Sequence, residues 1–201
     1  MKETKEKLLS AAAELFAQKG MDGVSTRDLV KRAKVNLCSI NYYFGTKQKL
    51  YDAVLDNMTD KISSFLKTHA LPTDLSAGQE LCLIISNMID LLCSLDLSET
   101  QAQLFIKELI SPSAPYNRLY EKVIEPLHKR ISALISELTG LPETGAIIQA
   151  HCLLGQIVMF KIHKEALLRR LRIKQYSPEL IFKIKKQILK NCEALLNGAL
   201  S

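Results

Sequence analysis

The 201-residue chain lacks any apolar run long enough to span a bilayer. A membrane helix needs roughly 18 or more such residues. The longest candidates, LCLIISNMIDLLCSL at 81–95 and AIIQAHCLLGQIVMF at 146–160, are interrupted by Asn, Asp, Gln or His. The stretch MKETKEKLLSAAAELF is charged and amphipathic and has no apolar signal-peptide core, so no leader is expected. The five cysteines (Cys38, Cys82, Cys93, Cys152, Cys192) form no CxxC pair and are odd in number, which fits reduced thiols in the cytoplasm. Glycine-rich phosphate loops are absent. No two His, Cys, Asp or Glu residues show a zinc spacing with a second pair in reach, so neither metal nor cofactor is expected. His151 and Cys152 are consecutive and point about 100° apart on a helix, so they cannot form a nucleophile–base pair, and no enzyme is expected.

Strand-like alternation is missing as well. Apolar spacing is helical nearly everywhere, and proline and glycine fall mostly between the periodic stretches. This predicts an all-α chain of about nine helices without repeats. The second starts at Ser25, and the others cover about 3–19, 37–44, 47–68, 76–95, 98–110, 116–138, 143–174 and 178–198. Pro126 predicts a kink or break in the seventh. Charge is unevenly spread: residues 1–50 carry +5, residues 51–160 carry −6 and residues 161–190 carry +8. A basic amino-terminal module on an acidic middle suits a polyanionic partner.

The segment Val24–Tyr51, VSTRDLVKRAKVNLCSINYYFGTKQKLY, reads as two short helices joined by a tight turn and followed by a third. Ser25 is a good N-cap, and Asp28 three residues on completes a near capping box. Gly45 is placed as a C-cap. Ile40 and Phe44 lie four apart and point inward with Leu29, Ala33 and Phe16. Leu37, Cys38, Ser39, Asn41, Tyr42 and Tyr43 are left for the other sides. Such a short rigid helix fits the major groove of DNA. Arg27 is the candidate for a bidentate guanine contact. Lys47 and the start of the fourth helix are candidates for a backbone phosphate. Two adjacent tyrosines on a short helix also describe an ordinary half-buried surface. Cys38 fits a redox switch or, more simply, a small space-filling residue.

Residues 8–55 resemble the amino-terminal domain of the TetR/AcrR family of bacterial transcriptional regulators. The matching strings are LLSAAAELFAQKG, STRDLVKRAKVN and YYFGTKQKLY, the last with Tyr42, Phe44, Gly45, Lys47 and Leu50 in the family spacing. VNLCSINYYFGTKQKLY, ELISPSAPY, VIEPLHKRISALISELTG and LLGQIVMFKIHKEALLRRL are similar to the CecR-type subgroup. The resemblance implies a helix-turn-helix DNA-binding domain at 1–46, a ligand-binding and dimerisation domain at 47–201, and a dimer whose heads sit in successive major grooves. It implies DNA contacts from Ser25, Thr26, Arg27, Leu37, Cys38, Ser39, Asn41, Tyr42, Tyr43 and Lys47. Three positions depart from the family pattern: Lys34 where glycine is usual at the turn, Val30 for alanine, and Asn41 for tyrosine.

In the body, Asn87 and Asp90 share one face of the fifth helix, and His151, Gln156 and His163 interrupt the eighth. Buried polar groups need partners. They either hydrogen-bond one another or sit at the bundle's edge, or some line a cavity for a small, mostly apolar ligand. In the second reading the ligand residues are Asn87, Met88, Asp90, Phe105, His151 and Met159. The last two helices carry more apolar surface than a small monomer leaves exposed, which predicts a homodimer formed through them. The expected function is a cytoplasmic, ligand-responsive DNA-binding repressor. Double-stranded DNA with a near-palindromic operator, a small-molecule effector and a second copy are its partners, and no membrane is. The effector would move the fourth helix and weaken operator binding. The alternative is a basic helical interaction module that binds a membrane surface or an acidic protein through residues 161–190.

Overall fold

The computed structural model describes residues 2–69, 72–93 and 98–198. The chain is all-α, with no strand among the described residues. The helices are α1 (Lys2–Lys19), α2 (Thr26–Ala33), α3 (Cys38–Phe44), α4 (Lys47–Thr68), α5 (Ala77–Cys93), α6 (Glu99–Ile110), α7 (Tyr116–Leu119), α8 (Glu125–Thr139), α9 (Glu143–Ile162), α10 (Lys164–Leu171) and α11 (Pro178–Gly198). The expected end of the fifth helix at 94 and 95 lies outside the described residues.

Two of the nine expected helices are divided. The predicted 116–138 helix becomes α7, a π-helical turn over Tyr120–Ile124, and α8. Pro126 has no N–H to offer the carbonyl of Lys122, and its ring crowds that carbonyl, so the chain widens there. The predicted 143–174 helix breaks at His163 (φ −99, ψ 23) into α9 and α10. No proline or glycine marks this break. α10 ends at Arg172, which takes a left-handed conformation with φ 58.

The chain forms two compact units. The first comprises residues 1–62 and 98–120, so α6 and α7 join the amino-terminal helices. Its core holds Leu8, Ala12 and Phe16 of α1, Leu29 of α2, Ile40 of α3, Leu50 and Met58 of α4, and Leu104 of α6, none more than 1% exposed. Phe16 meets the ring of Tyr51 edge to face, with centroids 5.1 Å apart. α6 begins with a full capping box, in which Ser98 accepts from the amide of Gln101 and the Gln101 side chain accepts from the amide of Ser98.

The second unit comprises residues 63–97 and 121–201. α5 packs against α8, α9 and α11, and α8 packs closely on α9. The buried residues of α5 (Leu81, Ile84, Ile85, Met88, Ile89, Leu91 and Leu92) cover much of its circumference, as expected of a central helix. An Arg130–Glu80 ion pair links α8 to α5, and Lys185 donates to Asp90 at 2.6 Å from α11 to α5.

Lys34 shows how the turn after α2 is made. It sits at φ 55, ψ 46 and its amide donates to the carbonyls of Lys31 and Val30. This is the left-handed cap that glycine occupies without steric cost. Lys34→Gly is therefore expected to stabilise the protein by about 0.5–1 kcal/mol, because the exposed lysine pays for its Cβ in this conformation. Thermal melting of the two proteins checks this, and a lower melting temperature for the glycine variant counts against it.

Candidate nucleic-acid interface

α2 is fixed at its start by a reciprocal cap. Ser25 Oγ donates to Asp28 Oδ2 at 2.6 Å and accepts from the Asp28 amide at 3.1 Å, while the Ser25 amide donates to the same carboxylate oxygen at 3.1 Å. These bonds hold the Asp28 carboxyl below its usual range. The Ser25 hydroxyl thus serves the helix itself, and Thr26 and Arg27 are exposed in the first turn with side chains outside this cap. In the turn before α3, Asn36 Oδ1 accepts from the Cys38 amide at 3.1 Å. Gly45, at φ 78, ends α3.

Seven residues of α3 divide as their spacing predicts. Ile40 and Phe44 are buried, and Lys5 lies 5.8 Å over the Phe44 ring. Leu37, Cys38, Asn41 and Tyr42 are exposed, Tyr42 by 69%, and Ser39 and Tyr43 are half-buried. The Tyr42 and Tyr43 rings stand edge to face at 4.9 Å, so each restricts the other. The helix carries no charge. Exposed Arg27, Lys31, Lys34 and Lys49 come from the adjoining segments, and Arg32 is bound to Glu14. A neutral, hydrogen-bonding face with cations beside it separates base reading from phosphate contact.

Lys47 departs from the expected simple phosphate ligand. Its ammonium donates to the carbonyls of Met21 at 2.9 Å and Val24 at 3.0 Å. It therefore ties the turn between α1 and α2 to the start of α4. Thr46, which the sequence reading passed over, caps α4 by accepting from the Lys49 amide at 3.1 Å.

The similarities to known proteins agree with this geometry. Residues 8–54 match the family described as bacterial regulatory proteins, tetR family. Residues 77–199 match the C-terminal domain of the HTH-type transcriptional dual regulator CecR. The chain is 31% identical over 208 residues to the HTH-type transcriptional dual regulator CecR of Shigella flexneri, covering 98% of this chain and 92% of that protein. The chain belongs to the TetR family, in its CecR branch.

Solved structures share the TetR-family fold. A transcriptional regulator from Rhodococcus sp. Rha1 has a TM-score of 0.64 at 21% identity, covering 98% of both chains. AibR, in complex with isovaleryl coenzyme A and operator DNA, has a TM-score of 0.68 at 12% identity, covering 92% of this chain and 96% of that one. As a member of the TetR family the chain is a helix-turn-helix transcriptional regulator.

The six ligand candidates of the TetR-family body fall in both units. Phe105 lies on α6 in the first unit, and the other five lie in the second. Asp90 is bound by Lys185, and Asn87 donates to the backbone carbonyl of His69 at 3.4 Å. Met88 is buried. His151 and Met159 are exposed on α9, Met159 by 47%. Helical spacing alone did not distinguish a face turned to the chain's own interior from one turned outward. His151 lies beside His128 of α8, with ring centroids 5.6 Å apart; burial, and secondly His151, hold His128 below its ordinary pKa. Two cavities in the first unit, of about 450 and 840 Å³, are lined by none of the six. Gln149 on α9 was overlooked: its Oε1 is buried without a hydrogen-bond partner among the described residues. A glutamine within an apolar run was the available signal.

Proposed function

We propose that two copies of this chain form a cytoplasmic, effector-responsive repressor that grips a near-palindromic operator with two α3 helices. The observation that carries the reading is the division of α3, with Ile40 and Phe44 anchored in the core while Leu37, Cys38, Asn41 and Tyr42 face outward. Thr26, Arg27, Ser39 and Tyr43 complete the contact set. Ser25 and Lys47 act mainly by holding the reading helices in place. Residues 1–46 form the DNA-binding domain, and residues 47–201 the ligand-binding and dimerisation domain.

The dimer surface is assigned to α9 and α11. By length and composition α9 is the one described helix apolar enough to cross a membrane, yet only 22% of its most apolar stretch is buried within the chain. Ile148, Cys152, Gly155, Met159 and Ile162 are all exposed on it at alternating spacings of four and three. That is the seam of helix-on-helix packing. Met159 fits this seam better than a ligand pocket. The effector is assigned to the second unit, where the unpartnered Gln149 acceptor on α9 suits a mostly apolar molecule with a hydrogen-bond donor. AibR, crystallised with isovaleryl coenzyme A, is a fold relative whose ligand is of mixed apolar and polar character. The basic residues of 161–190 are partly engaged, Arg169 with Glu165, Lys183 with Glu179 and Lys185 with Asp90. That engagement favours DNA as the polyanionic partner over a membrane or an acidic protein.

Selection from a random duplex pool tests the reading, with liposome flotation as control. A near-palindromic consensus bound by dimers is expected; no enrichment, or binding to vesicles alone, rejects it. Two substitutions then separate roles. Arg27→Ala is expected to cost about 1–3 kcal/mol per half-site and to relax preference at one base pair. Lys47→Ala is expected to weaken all duplexes alike and to lower the melting temperature as well, because two backbone carbonyls lose their donor. Unaltered base preference in the first variant would leave Arg27 as a phosphate ligand only.

A further inference from the structure

Glu108 of α6 is a carboxylate that is 1% exposed. Tyr51 Oη on α4 donates to its Oε1 at 2.7 Å, and Ser113 donates to its Oε2 through both Oγ (2.7 Å) and backbone N (3.1 Å). Burying a carboxylate is costly unless donors surround it, and removing a donor leaves a buried charge poorly compensated. Such a group favours one arrangement of its neighbours over all slightly displaced ones. Tyr51 is also buried and packs on Phe16, so it joins α1, α4 and α6 at one point. Burial, then the hydrogen bond to Glu108, raises the Tyr51 hydroxyl above its ordinary pKa, so it remains a donor.

The residue before Glu108 extends the same contact toward α2. Lys107 lies so close to Gly20, the left-handed end of α1, that a Cβ there would meet its Nζ at 2.4 Å. A cation at a helix carboxy-terminus is favourable. The turn that follows is held from the opposite element by Lys47. Successive residues of α6 thus reach both Tyr51 in the second turn of α4 and the end of α1 that leads into α2. The 840 Å³ cavity borders Gly20, Met21, Tyr51, Lys107, Glu108 and Ser113, which leaves the Ser113 segment room to shift.

We infer that Glu108 is a positioning residue for operator recognition: through Tyr51 and Ser113 it sets how α4, and with it the reading helix, is held relative to α6. It touches no DNA. The inference rests on the proposed DNA-binding role and adds a site that the role does not require.

The test uses the full-length protein as Tyr51→Phe and Glu108→Gln, with helix content and melting recorded. Operator duplexes carry half-sites at altered spacings, and one carries a single half-site. Both variants are expected to lose about tenfold on the natural spacing, while the single half-site is bound about as in the parent. Relative preference for neighbouring spacings should rise. A merely stabilising role would weaken single and paired half-sites alike, and that result overturns the inference. So does spacing preference within about twofold of the parent in both variants. If one variant fails to fold, Ser113→Ala, which removes only the hydroxyl donor, is measured in its place. A parent protein that selects no DNA overturns the proposed function itself, and is told apart by requiring no variant.

Discussion

Replacing Gly155 by leucine is expected to leave each chain folded and to break the dimer. A Cβ built at Gly155 meets nothing within 4 Å, so the chain's own packing does not demand glycine there. Glycine inside a helix is unfavourable by roughly 0.5–1 kcal/mol relative to better helix formers, and leucine recovers most of this. The isolated chain should therefore become slightly more stable. Gly155 nevertheless stands in the middle of the exposed seam of Ile148, Cys152, Met159 and Ile162. A leucine there holds a facing helix away. Two heads on one operator bind more tightly than one by about 10²–10⁴-fold, so operator affinity should fall by a factor of that order. Light scattering reads the assembly and titration of the operator reads the affinity. Ile148→Glu, which places a charge on a residue 58% exposed, should give the same monomer by another route. A leucine variant that remains dimeric with full operator affinity moves the interface away from this face.

Phe16→Ala is expected to melt the first unit while the second remains helical. Phe16 is 0% exposed. Truncating a buried phenylalanine to alanine costs about 3–5 kcal/mol, and losing its edge-to-face contact with Tyr51 adds about 0.5–1.5 kcal/mol. Against a typical total of about 5–15 kcal/mol this removes much of a unit's stability. For a unit of this size the transition should fall by more than about 10 °C. Because the chain forms two compact units, the helical signal is expected to fall in two steps, with DNA binding lost in the first. One undivided transition, displaced by only a few degrees, would show that Phe16 does not anchor a separate cooperative unit.

The parts of the interface legible in the sequence are those set by neighbours along the chain. The Ser25–Asp28 cap, the glycine that ends α3, and the inward pair Ile40 and Phe44 depend on spacings of three to five residues. Lys34 stands out only against the family resemblance, where glycine is usual, and its backbone is left-handed as that turn requires. The break near Pro126 was also legible, although its π-helical form was not. The break at His163 carried no marker, because histidine is tolerated within helices. What could not be read depends on distant partners. Glu108 resembles any charged helix residue until Tyr51, 57 positions away, is brought to it. The ammonium of Lys47 likewise finds its carbonyls 23 and 26 residues back. Apolar periodicity located α9, but it could not apportion that helix between the chain's own interior and an outer seam. His151 and Met159 fall among the residues that periodicity alone leaves unassigned.

The first unit is discontinuous in sequence: the chain leaves it after residue 62 and returns between 98 and 120. Any exchange of operator specificity between relatives, by recombination in nature or by splicing in the laboratory, therefore involves two crossovers rather than one. A chimera joined only within α4, after Tyr51, would pair one parent's Tyr51, Gly20 and Phe16 with the other parent's α6. Glu108, Ser113 and Lys107 would then have been inherited separately from the residues they fit. Reading heads of this architecture should thus travel with α6 as linked cargo, and a transplanted head without it arrives incomplete.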